Sequence, residues 1–207
     1  MDEGYAAASA AVRAAVDRAL GRQQDVAVRE VDALLDAVLR VTERMAPAAP
    51  RVADVVAEAG SSNQTFYRYF SGKDELMLAA LQRGLHRVVD YLRHQMGKSQ
   101  DPREQVAAWV RGVLAQVTNR AAARQSAALN AHVTRPFSDH AAGLDELGTL
   151  LVPPLQALGS ARPATAAMLI REGVFGLLQH HLAAGTTPSR AEVDHVVAFC
   201  LRAVGHE

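Results

Sequence analysis

Residues 51–76 read RVADVVAEAGSSNQTFYRYFSGKDEL, and the stretch sorts itself into two short helices and the opening of another. Val52, Val55, Val56 and Ala59 recur at steps of three and four, the spacing that gathers apolar side chains on one helical face. Gly60 follows, a residue free to take positive φ where a helix ends. Ser61 and Ser62 supply hydroxyls able to cap the amides of a second short helix that runs to about Tyr69. Ser71-Gly72-Lys73-Asp74 sets an oxygen-bearing residue three places ahead of an acid, which predicts a capping box and a new helix start. The unit reads as helix, tight turn, helix.

Before this unit, Val31, Leu34, Leu35, Val38, Leu39, Thr42 and Met45 form one apolar face and predict a helix from about Asp25 to Met45. It ends at Ala46-Pro47-Ala48-Ala49-Pro50, where two prolines remove amide donors. After the unit, Leu78, Leu81, Leu85, Val88, Val89, Leu92 and Met96 predict a long helix to about Gly97. Asp101-Pro102-Arg103-Glu104 opens the next, with cap, proline and acid in order, and Val106, Trp109, Val110, Val113, Leu114 and Val117 line its face. Ala121 to Val133 reads as an Ala-rich helix broken by Arg135-Pro136-Phe137. A helix from about Asp139 carries Leu144, Leu147, Leu150 and Leu151 until Pro153-Pro154 kinks or ends it. The segment from about Arg162 to Ala184 is apolar nearly all round, which calls for burial on more than one side. Ser189-Arg190-Ala191-Glu192 opens the last helix, with Val193, Val196, Val197, Cys200 and Val204 along it. Nine or ten helices and no strand pattern predict an all-α chain.

Composition agrees and narrows the classes. The chain has 207 residues, 49% of them apolar and only 5% aromatic, enough to fill a core and rich in helix formers. Twenty-two bases balance twenty-two acids, so no chain-wide field points to a partner. One cysteine, Cys200, makes an internal disulfide impossible. There is no apolar run near the ~18 residues of a spanning helix, and Met1 to Ala11 holds two acids and no base, unlike an export signal. Cytoplasmic location and no membrane partner are expected. No nucleophile elbow, Walker loop, dinucleotide fingerprint or zinc spacing occurs, so neither an enzyme class nor a cofactor is implied. Glu192-Val193-Asp194-His195 is an E-x-x-H arrangement, but no second one accompanies it as helical di-metal sites require. His180 and His181 point about 100° apart on a helix and are poorly placed to share a metal, so none is expected.

The stretch 51–76 resembles the DNA-binding core of TetR-type transcriptional regulators. Shared features are the Ala59-Gly60 turn, Thr65 and Tyr67 in the second short helix, the Tyr69-Phe70 aromatic pair, and Lys73, Asp74, Glu75 and Leu76 opening a long helix. The resemblance implies three parts: an N-terminal extension over 1–24, a helix-turn-helix domain over 25–73, and a helical effector-binding and dimerisation domain over 74–207. Double-stranded DNA is the implied partner. In that reading Ser62, Asn63, Gln64 and Thr65 meet the major groove first, while Tyr67, Arg68, Lys73 and Arg51 hold phosphates. Phe66 and Phe70 are expected inside. The chain departs from the family pattern where Pro50-Arg51 replaces a capping Thr-Ser or Thr-Thr pair, Ser61 a small apolar residue, and Gln64 a glycine. Gln64 is expected to read adenine. The extension reads as a packing element or loosely held tail, with a DNA-reaching arm as the rival.

Residues 25–75 hold six bases against nine acids, yet none of those acids lies between Ala59 and Lys73. A modest number of phosphate contacts and a shallow salt dependence are therefore expected. The resemblance further implies a homodimer formed through the last two helices, a pseudo-palindromic operator and a small-molecule effector. Trp109, His132, Phe137, Met168, Phe175 and His180 are the candidate effector pocket. A repressor released by its effector is the leading reading; an activator, or a helical small-molecule binding protein, are the alternatives.

Overall fold

The computed structural model describes residues 2–46, 48–117 and 141–204. Its elements are all helical: α1 (Asp2–Met45), α2 (Val52–Glu58), α3 (Asn63–Tyr69), α4 (Lys73–Met96), α5 (Pro102–Leu114), a 3-10 turn (Ala115–Val117), α6 (Ala141–Thr149), α7 (Val152–Ala157), α8 (Pro163–Ala184) and α9 (Arg190–Val204). The chain divides into two compact units, Met1–Met77 and Leu78–Glu207, with the division inside α4. The helix expected over 121–133, its break at 135–137 and the start at Asp139 lie outside the described residues.

In the first unit α1 is one continuous helix through the N-terminal extension. Alanines dominate residues 6–19, and the one weak helix former between Leu20 and Asp25 is Gly21, too small a penalty to stop a helix. Leu34, Leu35, Ala37, Val38 and Val41 of α1 are buried, as are Val55 and Val56 of α2 and Phe66 of α3, with Phe70 just beyond it. Thr42, wholly buried, donates its hydroxyl to the Val38 carbonyl at 2.6 Å, so its burial strands no polar group. Glu58 of α2 accepts Arg40 Nε at 2.7 Å and Arg44 Nη1 at 2.9 Å, tying α2 to α1.

The second unit is built around Val89, Leu92 and Met96 of α4, six buried apolar residues of α5 from Val106 to Leu114, Leu147 of α6, Leu151 and Leu155 around α7, and inward faces of α8 and α9. Gly112 lets α5 approach α4: a Cβ there would run into Leu92 Cδ2. Asp101 caps α5 by accepting the Arg103 N–H at 2.9 Å, with Pro102 in the first turn. Pro153-Pro154 does not end a helix; both prolines sit in the first turn of α7, where a missing N–H costs nothing. Asp145 and Glu146 of α6 meet Arg171 of α8 at 2.8 Å and Arg93 of α4 at 3.1 Å. Gly185, at φ 65°, closes α8, whose buried His181 meets Thr186 Oγ1 at 2.8 Å and Glu192 Oε1 at 3.3 Å. Ser189 accepts the Glu192 N–H at 3.2 Å, capping α9.

Candidate nucleic-acid interface

The turn between α2 and α3 follows from one glycine. Gly60 takes φ 60°, which lets its own N–H reach the Ala57 carbonyl at 3.2 Å and the Ser61 N–H reach the Val56 carbonyl at 3.0 Å. Two otherwise orphaned carbonyls of α2 are satisfied this way. Space is not what selects glycine here, because a Cβ at Gly60 would meet nothing within 4 Å. Ser62 then caps α3: its Oγ accepts the Thr65 N–H at 3.0 Å and lies 3.0 Å from Thr65 Oγ1. Ser62 and Thr65 thus spend their hydroxyls on each other, and the two residues between them, Asn63 and Gln64, stand exposed on the first turn.

The rest of α3 alternates anchors and outward groups. Phe66 is fully buried, and its ring lies 5.9 Å from that of Phe70, which is also buried. Tyr67 is 61% exposed, its ring edge-on to Phe66 at 5.1 Å. Arg68 is exposed but reaches Glu30 of α1, Nη1 to Oε2 at 3.4 Å, and the Tyr69 hydroxyl donates to the same oxygen at 2.6 Å. Arg51 is exposed at the N-cap of α2 and makes no side-chain cap. Lys73 opens α4, half-buried. Neither Arg51 nor Lys73 enters an ion pair among the described residues.

The box at the start of α4 differs from its expected form. Glu75, not Asp74, reaches back, accepting the Ser71 N–H at 2.7 Å and the Ser71 hydroxyl at 2.6 Å. Those bonds, hydroxyl first, hold the Glu75 carboxyl below its ordinary value. Glu58 is lowered as well, by its hydrogen bonds from Arg40 and then Arg44. In the unfolded chain both groups regain ordinary affinity for protons, so acid protonates the unfolded state first. Their stabilisation is whole above the ordinary glutamate value of 4.5 and disappears as pH falls through the lowered folded values. Urea midpoints taken at neutral pH and near pH 4 should therefore fall less for the Glu58→Gln, Glu75→Gln double variant than for the parent. Equal falls would remove these two carboxylates from the acid response.

The expected effector-pocket residues are scattered. Trp109 is fully buried in the core, with its indole N–H donated to the Leu147 carbonyl at 2.9 Å. Phe175 is half-buried at the core's edge, whereas Met168 and His180 are exposed on α8. His132 and Phe137 lie outside the described residues. Glu192 of the E-x-x-H arrangement is turned toward His181, and no group of three metal-ligating side chains occurs among the described residues. No described helix is long and apolar enough to cross a membrane. What sequence reading missed is Glu30 and Glu58. Both reach partners 14 to 39 positions away, and no local pattern signals such pairs.

Residues 34–80 match the model for bacterial regulatory proteins of the tetR family. The BetI HTH-type transcriptional regulator of Brucella anthropi is 35% identical over 75 residues, which span 36% of this chain and 39% of that relative. A TetR family transcription regulator from Marinobacter aquaeolei VT8 superposes with a TM-score of 0.62 at 19% identity, covering 88% of this chain and 97% of that one. The fatty acid degradation regulator FadR from Bacillus halodurans gives 0.64 at 19% identity over 83% and 94%. The structural likeness shows the all-α fold, and the sequence match takes in the turn, α3 and the capped start of α4 just described. The sequence likeness to tetR-family regulators thus lies in the N-terminal part of the chain, over residues 34–80, and the chain spans 39% of the length of the BetI regulator it matches.

Proposed function

We propose that the chain is a sequence-specific transcriptional repressor, homodimeric on a pseudo-palindromic operator and released by a small-molecule effector. The observation that carries the reading is the first turn of α3, where two capped hydroxyls hold Asn63 and Gln64 outward while Phe66 fixes the helix from below. Asn and Gln can each pair bidentately with adenine in the major groove. Tyr67, Arg51 and Lys73 border that turn as phosphate-holding groups, with Thr65 and Ser62 lending order. Because Arg40, Arg44 and Arg68 are engaged by carboxylates, few cations remain for phosphate and the salt dependence is shallow.

Dimerisation is assigned to α8 and α9, whose outward faces carry Met168, Leu169 and Phe199, all largely exposed in the protomer. The effector is assigned to the second unit, with Phe175 the described residue best placed to touch it. To act, it need only prefer the DNA-incompetent arrangement, and a coupling of ~1–3 kcal/mol gives roughly 5–150-fold release.

The test is enrichment of duplexes from a random pool, then binding titrations with variants. Lys73→Ala is expected to weaken binding to every duplex and lower the log–log salt slope by about 0.9 per reading head. Gln64→Ala should instead relax preference at one position, by about 1–3 kcal/mol against the wrong base. Uniform losses from Gln64→Ala would sink its base-reading role, and a pool that enriches nothing would sink the DNA reading.

A further inference from the structure

One carboxylate in the first unit is spent on the recognition helix itself. Glu30 sits on α1 and uses a single oxygen, Oε2, for two neighbours on the last turn of α3: the Tyr69 hydroxyl at 2.6 Å and the Arg68 guanidinium at 3.4 Å. The Arg68 guanidinium also lies 5.8 Å from the centroid of the Tyr69 ring. The three side chains form one cluster, closed by a short bond on one side and a long, solvent-exposed ion pair on the other.

We propose that Glu30 is the positioning residue of the reading head and restrains its non-specific grip on DNA. The inference rests on the DNA reading above. The Tyr69 bond is short and part-buried, so it ties the C-terminal turn of α3 to α1 and sets the angle at which Asn63 and Gln64 are presented. The Arg68 contact is long and more than half exposed, so it positions little. Its effect is electrostatic: a carboxylate beside the guanidinium cancels the charge that any phosphate backbone would otherwise attract. Arg68 is thereby withheld from sequence-independent binding, and a duplex gains it only when docking draws the guanidinium off Glu30. Specificity is the difference between right and wrong sequences, in which an attraction common to all of them cancels; a guanidinium released only in the fitted complex adds to the right sequence alone and sharpens the choice.

Glu30→Gln separates the two roles. The amide oxygen still accepts from Tyr69, while the charge beside Arg68 is gone. Binding to a duplex of scrambled sequence, followed by anisotropy across potassium chloride concentrations, should tighten and its log–log slope steepen by about 0.9 for each reading head. Most of that steepening should vanish when Glu30→Gln is placed on an Arg68→Ala background. Tyr69→Phe removes the tether without touching charge. It should leave the slope alone and reduce discrimination between an enriched and a scrambled duplex several-fold. Melting temperatures identify variants that fail to fold, and these properties would not follow from stability alone. A parent slope retained by Glu30→Gln, or a steepening that survives Arg68→Ala, overturns the restraint. Undiminished discrimination in Tyr69→Phe overturns the positioning role. A parent protein that binds no duplex overturns the DNA reading, and this inference with it.

Discussion

Trp109→Ala is expected to unfold the second unit at ordinary temperature. The indole is wholly buried in the core of this unit, and truncating a buried Trp costs about 3–5 kcal/mol in transfer and cavity terms. A second cost comes from its hydrogen bond. Leu147 lies in the last turn of α6, where carbonyls have no partner four residues on, and the Trp109 N–H fills that vacancy at 2.9 Å. Losing it adds roughly 1–3 kcal/mol for an unpaired buried acceptor. Against a total stability of about 5–15 kcal/mol, the sum is decisive. Trp109→Phe should retain most of the packing and lose chiefly the bond. Urea unfolding followed by circular dichroism would rank the parent above Phe, and Phe well above Ala. The same series distinguishes a core anchor from a pocket wall: an Ala variant of unchanged stability would return Trp109 to the effector candidates.

How far the sequence could be read depends on the range over which each feature acts. The apolar face of α1, the Gly60 turn, the Ser62 cap, the Asp101-Pro102 start and the Ser189 cap are all set within four residues, and each was readable from spacing and residue type. Pro153-Pro154 was ambiguous because a proline that cannot sit inside a helix is well suited to begin one. The box at Ser71 was off by one residue because Asp74 and Glu75 are both near enough, and side-chain length decides which carboxylate reaches the amide. The candidate interface was readable in part: at about 100° per residue, helical phase puts Gln64 across the helix from Phe66 and Tyr67 to one side of it, whereas Asn63, three positions before Phe66, is exposed because it opens the helix. Its electrostatics were not. Six bases counted along the chain look available for DNA, but Arg40, Arg44 and Arg68 are held by Glu58 and Glu30, partners that only tertiary packing brings near. Trp109 carries the same lesson: an aromatic with a polar tip suits a pocket or a core, and the Leu147 carbonyl that decides between them lies 38 positions away.

If α8 and α9 form the proposed dimer, Leu169→Asp combined with Phe199→Asp should convert it to a monomer and cost about 10²–10⁴ in affinity for a two-half-site duplex. Leu169 is 63% exposed and Phe199 62%, so neither change disturbs the protomer's core, and circular dichroism should be unaltered. Along α8, Leu169, Gly173 and Gly176 follow one another at steps of four and three on the side opposite buried Ile170, Val174 and Leu178. A Cβ at either glycine would meet nothing within 4 Å, so this face is open and flat enough for a second helix to lie close. In a two-fold interface each substitution occurs twice, and burying an unpaired carboxylate costs several kcal/mol, enough to dissociate the pair. The DNA consequence follows from effective concentration. Joining two reading heads makes the second binding event intramolecular, which raises overall affinity by about 10²–10⁴ without any new contact. The variant should lose that factor on a duplex with two half-sites and lose nothing on a duplex with one. Sedimentation would report the assembly and anisotropy the two duplexes. A variant that remains dimeric would move the interface away from α8 and α9. A monomer that still prefers two half-sites would show that the heads communicate through the DNA and not through the protein.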